Sequence, residues 1–195
     1  IHMTFGPNSA KHLHGCVVPL LLADLQTIMW VSLGDEDVKQ IADLKQYSDR
    51  SLFQASLSQK PTTILRELVN STQPDFDLSW FRTRPIREQM AAFFDDPAND
   101  FNLQEIVTVE VCAYAAPGKG TLAEVVASMV VGWLGAKLRW KACTRSGTGC
   151  QFDSSTGTVN VVLNRIEQTT EESHGTLNSI RMTDKQGRQL EVQMQ

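Results

Sequence analysis

The chain has 195 residues, of which 42% are hydrophobic and 21% charged, with a formal net charge of −4. That length suits one domain, or one domain with an appended subdomain, and the apolar share supports a core without disulfides or metal. The acidic balance argues against general nucleic-acid binding, which favours a strongly basic face. No apolar run reaches the ~20 residues of a membrane span, because the longest, "CVVPLLLADL", is broken by Pro19 and Asp24.

In chain order, residues 1–14 read as a cloning remnant ("IHM") followed by a polar lead-in. With no secretory leader in view, a cytoplasmic location is expected. His12, His14 and Cys16 lie close together, yet no second ligand cluster follows, so exposed loop histidines are favoured over a metal site. Cys16 sits in an apolar run and is expected in the core. "CVVPLLLADL" reads as a short buried helix or turn, and "QTIMWVSL" as a buried strand. "GDEDVKQIADLKQY" reads as a helix with its acids in the first turn, where they suit the dipole. "RSLFQAS" follows as a strand, and "KPTTILRELVNST" as a helix with Pro61 near its start.

The stretch "DLSWFRTRPIREQMAAFFDDP" predicts a helix of about three turns opened by Pro85, with Ile86, Met90 and Phe93 on one apolar stripe. "LQEIVTVEVCAYAAP" alternates as a strand, with Val107, Val109, Val111 and Ala113 on one face and Thr108, Glu110, Cys112 and Tyr114 on the other. After a "GKG" turn, "TLAEVVASMVVGWLGAKLRW" predicts the clearest helix, with Leu122, Val126, Val130, Trp133 and Leu134 among its apolar positions. Gly132 and Gly135 on that helix suggest close packing against a neighbour. Beyond Gly147, three short alternating runs separated by glycines read as an antiparallel meander. The expected fold class is therefore α/β: a mixed layer of strand–helix units over residues 15–144, then a β-rich antiparallel portion over 145–195 packed on the same domain.

No GxSxG, HExxH, CxxC or Walker loop is present, and no metal or cofactor site is expected. Arg82, Arg84 and Arg87 cluster at the opening of a helix. Arginines so placed grip a phosphate or pair with carboxylates such as Glu88 and Asp77. Lys119 in the glycine turn could join an anion site. Trp80, Arg82, Arg84 and Arg87 thus stand as either partner-binding or structural. Cys143 and Cys150 flank the loop "TRSGTG", where adjacent strands would let them pair, and Arg145 would favour a thiolate.

Taken together, Pro19-Leu20-Leu21, Asp24-Leu25, Trp30, Asp77-Leu78-Ser79-Trp80-Phe81-Arg82, Pro85-Ile86-Arg87-Glu88 and Gly132-Trp133-Leu134-Gly135 form an ordered set. It resembles the glucose-6-phosphate dehydrogenase assembly protein (OpcA) family of cyanobacteria and other bacteria, over roughly residues 15–142. The sequence departs from that pattern at Gln26-Thr27, Arg84 and Ile86. The resemblance implies a non-enzymatic protein that binds glucose-6-phosphate dehydrogenase, promotes its active oligomer and raises its apparent affinity for sugar phosphate in the pentose phosphate route. It implies a link to redox state and thioredoxin, with Cys143 and Cys150 as the expected input, and a further N-terminal region in typical members. The rival expectation is a sugar-phosphate sensor or enzyme using Arg82, Arg84, Arg87 and Lys119.

Overall fold

The computed structural model describes residues 13–22, 24–31, 45–55, 61–63, 66, 75–115, 121–146, 149–168 and 175–194. The chain separates into two units, Ile1–Leu78 and Ser79–Gln195.

The first unit opens with a helical turn, α1 (Leu13–Val17), and a 3-10 turn at Val18–Leu20 that carries Pro19. Cys16 is exposed, a correction to its expected core position. Leu20, Leu22 and Leu25 of the same apolar run are exposed as well, so this stretch is not enclosed as a buried helix or turn. Three strands follow, β1 (Ile28–Val31), β2 (Arg50–Phe53) and β3 (Asp75–Asp77), joined in the order β1-β2-β3 with both pairings parallel. This is the parallel layer that strand–helix alternation predicts. Its strand β1 is not buried as expected: Ile28 and Trp30 are 55% and 68% exposed. Register places Trp30, Leu52 and Phe76 side by side across the sheet. Most of the helix expected over 34–47 and of the one over 60–72 lies outside the described residues, as does the GKG turn with Lys119.

The second unit is built on a six-stranded mixed sheet of order β5-β6-β7-β4-β8-β9. Its strands are β4 (Ile106–Ala115), β5 (Lys141–Ser146), β6 (Gly149–Ser154), β7 (Gly157–Glu167), β8 (Leu177–Asp184) and β9 (Gln189–Gln193). Hairpins join β5 to β6, β6 to β7, and β8 to β9; β4 lies between β7 and β8, parallel to the first and antiparallel to the second. The mixed α/β layer with a β-rich C-terminal portion is thus what the chain adopts. The boundary expected at 144–145 falls within β5, inside this sheet.

Helix α4 (Thr121–Leu138) lies across β4, β7 and β8, and α3 (Arg84–Asp95) meets β9. The sheet face they cover carries Val109, Val111, Ala113, Val159, Val161, Ile180 and Met182, all at most 2% exposed. The helices add Ile86, Met90, Val126 and Val130 to the same core. The buried stripe of α4 includes the small residues Ala123 and Ala127, while Trp133 and Leu138 are half-buried. Gly135 meets the Trp140 ring, with its missing Cβ 3.4 Å away, whereas Gly132 faces open space. The close packing expected of both glycines therefore holds for one.

Helix α4 ends at Arg139, a non-glycine residue at φ 57°, with the Trp140 N–H donating to the Gly135 carbonyl at 2.8 Å. That left-handed cap turns Trp140 back onto the helix and against Phe152, ring centroids 5.4 Å apart. Among the described residues, no helix is long and apolar enough to cross a membrane.

Candidate functional site

Two clusters from the sequence can be placed side chain by side chain. The first is the corner formed by α2 (Leu78–Arg82) and α3. Ser79, Thr83, Ile86 and Met90 are buried, spaced i, i+4, i+7 and i+11, so one face of α2 and α3 is turned inward. The Thr83 hydroxyl donates to the Trp80 carbonyl at 2.7 Å and accepts from Arg87 Nε at 3.0 Å. Arg87 then lies flat over Trp80, its guanidinium carbon 3.9 Å from the ring centre, and 5.8 Å from that of Trp133. Trp80 and Trp133 themselves meet edge to face at 6.4 Å. The arrangement is a three-membered cation–π and edge-to-face cluster that ties α2 and α3 to α4. Burial lowers the Arg87 guanidinium from its ordinary value; Glu88 opposes that shift and Arg84 adds to it.

The other two arginines behave differently. Arg84 Nε donates to Glu88 at 2.6 Å in an exposed i,i+4 pair, and Arg82 is exposed. The arginines therefore take up three separate situations rather than aiming at one point. Lys119, expected to join them, lies outside the described residues.

The second cluster is the β5–β6 hairpin. Register pairs Cys143 with Phe152 and Arg145 with Cys150, which places both cysteines on one face, a diagonal apart. A register shift between Lys141 and Cys143 sets that phase. Both thiols are free, Cys143 exposed and Cys150 half-buried. Burial first, then hydrogen bonding to the Cys143 thiol, pushes Cys150 up to about 11. The thiolate that Arg145 would favour is therefore not found at Cys150, where desolvation and the Cys143 thiol set the value. Gly149 precedes Cys150 because a Cβ there would lie 1.9 Å from the Val161 carbonyl oxygen of β7. Among the described residues, no group of three His, Cys, Asp or Glu side chains is placed to hold a metal ion.

One polar knot escapes a sequence reading. Asp184, 1% exposed, accepts from the backbone N–H groups of Gln186 and Arg188 and from Arg188 Nε at 2.7 Å. Arg188 also meets Asp100 at 2.9 Å. Burial alone would raise Asp184, but the hydrogen bonds from Arg188 and the turn outweigh it and hold the carboxyl below its ordinary value. The only signal is an aspartate opening the β8–β9 turn "DKQGR".

Comparison with known proteins adds the rest. The OpcA family model, described as the C-terminal domain of the glucose-6-phosphate dehydrogenase subunit, matches residues 73–195. The "Putative OxPP cycle protein OpcA" of Synechocystis sp. (strain ATCC 27184 / PCC 6803 / Kazusa) is 26% identical over 137 residues, covering 68% of this chain. The match spans 28% of that relative's own length. The matched family region takes in β3 and the whole second unit, with the Trp80–Arg87–Trp133 cluster and the Cys143–Cys150 hairpin, and so the chain belongs to the OpcA family, defined by this C-terminal domain.

Proposed function

We propose that this chain is a non-catalytic assembly factor that binds glucose-6-phosphate dehydrogenase and favours its active oligomer, acting in the cytoplasm on the pentose phosphate route. The observation that carries this reading is the family match across residues 73–195. The mechanism is linkage. A protein that binds only the active state of its partner shifts the population toward that state by its differential affinity. The contacts among Trp80, Arg87 and Trp133 hold α2 and α3 against α4.

The Cys143–Cys150 pair supplies a redox input. Exchange with a thioredoxin-type disulfide joins the two sulfurs and leaves that partner as the dithiol, which takes up the two electrons and two protons; the reverse exchange restores both thiols. The neighbouring thiols on adjacent strands support this role. The rival phosphate-sensing reading is less favoured, because Glu88 already engages Arg84 and the tryptophan rings engage Arg87.

The test is co-elution with the cognate dehydrogenase on a sizing column at about ten micromolar, with the dehydrogenase rate at low substrate read on the same fractions. A complex with a raised rate is expected, and a difference between oxidised and reduced samples that Cys143→Ser abolishes. The absence of a complex in both redox states would overturn the reading.

A further inference from the structure

The parallel sheet of the first unit has one face covered and one face bare. Ser51 and Phe53 point to the covered side, 0% and 6% exposed. The Asp75 side chain joins them there, paired with Lys45. Alternation sends Ile28, Trp30, Arg50, Leu52 and Phe76 to the other side. Ile28, Trp30 and Phe76 are exposed on it, with Leu52 half-buried between the two aromatic rings. All-parallel sheets occur with both faces covered. Arg50 is the one charged side chain that register places on this bare face among the described residues. An apolar face of this kind marks a contact surface.

Its size and shape suit a second copy of the chain. At about 200 Å² for a large side chain in full contact with water, Ile28, Trp30 and Phe76 leave roughly 340 Å² bare. Leu20, Leu22 and Leu25, in the segment that runs into β1, are exposed as well and bring the total to roughly 700 Å². That approaches the ~800 Å² each partner gives to a stable interface. A two-fold contact uses the same patch twice, so the chain itself supplies the matching surface. The row Trp30–Leu52–Phe76 runs straight across the three strands. A two-fold axis along that row sets each of its side chains opposite its own mate, with the facing sheets ~10 Å apart and their strands antiparallel. Charge selects this axis. Arg50 stands two residues before Leu52 on β2, so the two Arg50 side chains lie about 13 Å apart, one on each side of the axis. An axis along the strands would press one Arg50 onto the other, a like-charge contact that opposes association.

We infer that the face carrying Ile28, Trp30, Leu52 and Phe76 is a two-fold interface through which two copies of this chain associate. Nothing in this contact requires the dehydrogenase.

Sedimentation equilibrium from about 1 to 100 µM is expected to show the wild type passing from monomer to dimer and stopping there. Trp30→Glu sets two carboxylates opposite each other and removes two apolar anchors, so it is expected to weaken the dimer at least about 100-fold. Trp30→Ser adds no charge and is expected to weaken it at least about ten-fold. Arg50→Glu is expected to change it by no more than about two-fold, because the pair stands beyond the Debye length of ~8 Å. Circular dichroism at the lowest concentration checks that each variant is folded, which the exposure of Trp30 and Arg50 leads us to expect. Folded Trp30 variants that dimerise like the wild type overturn this interface. So does a wild type that is monomeric at about 100 µM, or one that grows beyond the dimer. Arg50→Glu dimers at least about ten-fold tighter overturn the antiparallel arrangement. A monomeric wild type that binds the cognate dehydrogenase, with binding lost in Trp30→Ser, assigns the face to that partner and also overturns the inference.

Discussion

Replacing Arg87 tests whether the tryptophan cluster holds the corner together. In Arg87→Ala, two interactions vanish at once. The first is the stacking over Trp80 at 3.9 Å, worth about 0.5–1 kcal/mol at a site only part buried. The second is the bond from Nε to the Thr83 hydroxyl at 3.0 Å, worth about 1–1.5 kcal/mol. The buried Thr83 hydroxyl keeps its own bond to the Trp80 carbonyl, so no donor is left stranded. The sum is about 2 kcal/mol, or about 4–8 °C in melting temperature for a chain of this size. Arg87→Lys keeps the charge but loses the planar group and Nε, so it should recover less than half of the loss. Arg82→Ala, at an exposed position, should stay within about 0.5 kcal/mol of wild type. Urea denaturation followed by tryptophan fluorescence reads all three, because Trp80 and Trp133 bracket the substituted residue. An Arg87→Ala protein as stable as Arg82→Ala would refute the reasoning.

Arg139→Gly should stabilise the chain by about 0.5–1 kcal/mol, since glycine accepts the left-handed cap at φ 57° that arginine occupies under strain; a lower urea midpoint would count against this. Gly149→Ala should disrupt the β6–β7 pairing, with a loss of at least about 2 kcal/mol, because its Cβ meets the Val161 carbonyl; amide exchange along β6 reports it. Iodoacetamide at pH 8 should modify Cys143 well before Cys150, whose thiol ionises only near 11. The same raised value means that Cys150 contributes stability below its unfolded pKa of about 8.5 and loses it as pH climbs toward 11. Asp184 works in the opposite sense. Its depressed folded value contributes stability above the unfolded value of about 3.9, lost as pH falls through the folded one. Asp184→Asn should flatten that acid limb in a pH series of denaturation curves.

Local patterns made much of this fold legible. Pro85 opens a helix, and β4 alternates as its residues require, with Val109, Val111 and Ala113 inward. What escaped are properties set at long range. Strand β3, "DFD", is too short to show a period, so no strand is read there. Ile28 and Trp30 read as buried because apolar runs in parallel strands usually are, yet here their face of the sheet is exposed. The placing of β4 between β7 and β8 depends on pairing across the chain and has no local signature. At the corner, adjacency of Arg82, Arg84 and Arg87 in sequence is open to an anion grip or to pairing with carboxylates such as Glu88, and does not separate the three. Helical geometry instead sends each guanidinium in its own direction, one to Glu88 and one onto Trp80.

The position of β4 also governs the order in which this unit is made. Strand β4 ends at Ala115, yet its neighbours β7 and β8 begin at Gly157 and Leu177. On the ribosome, the apolar side of β4 therefore emerges well before either strand that hydrogen-bonds to it, with α3 already made and α4 the next element available to shield it. Closing such distant pairs is slow, and an unpaired apolar strand is prone to self-association. Synthesis that stalls before β8 leaves one edge of β4 bare, so the β8–β9 hairpin acts as the latch that makes the nascent unit safe to release.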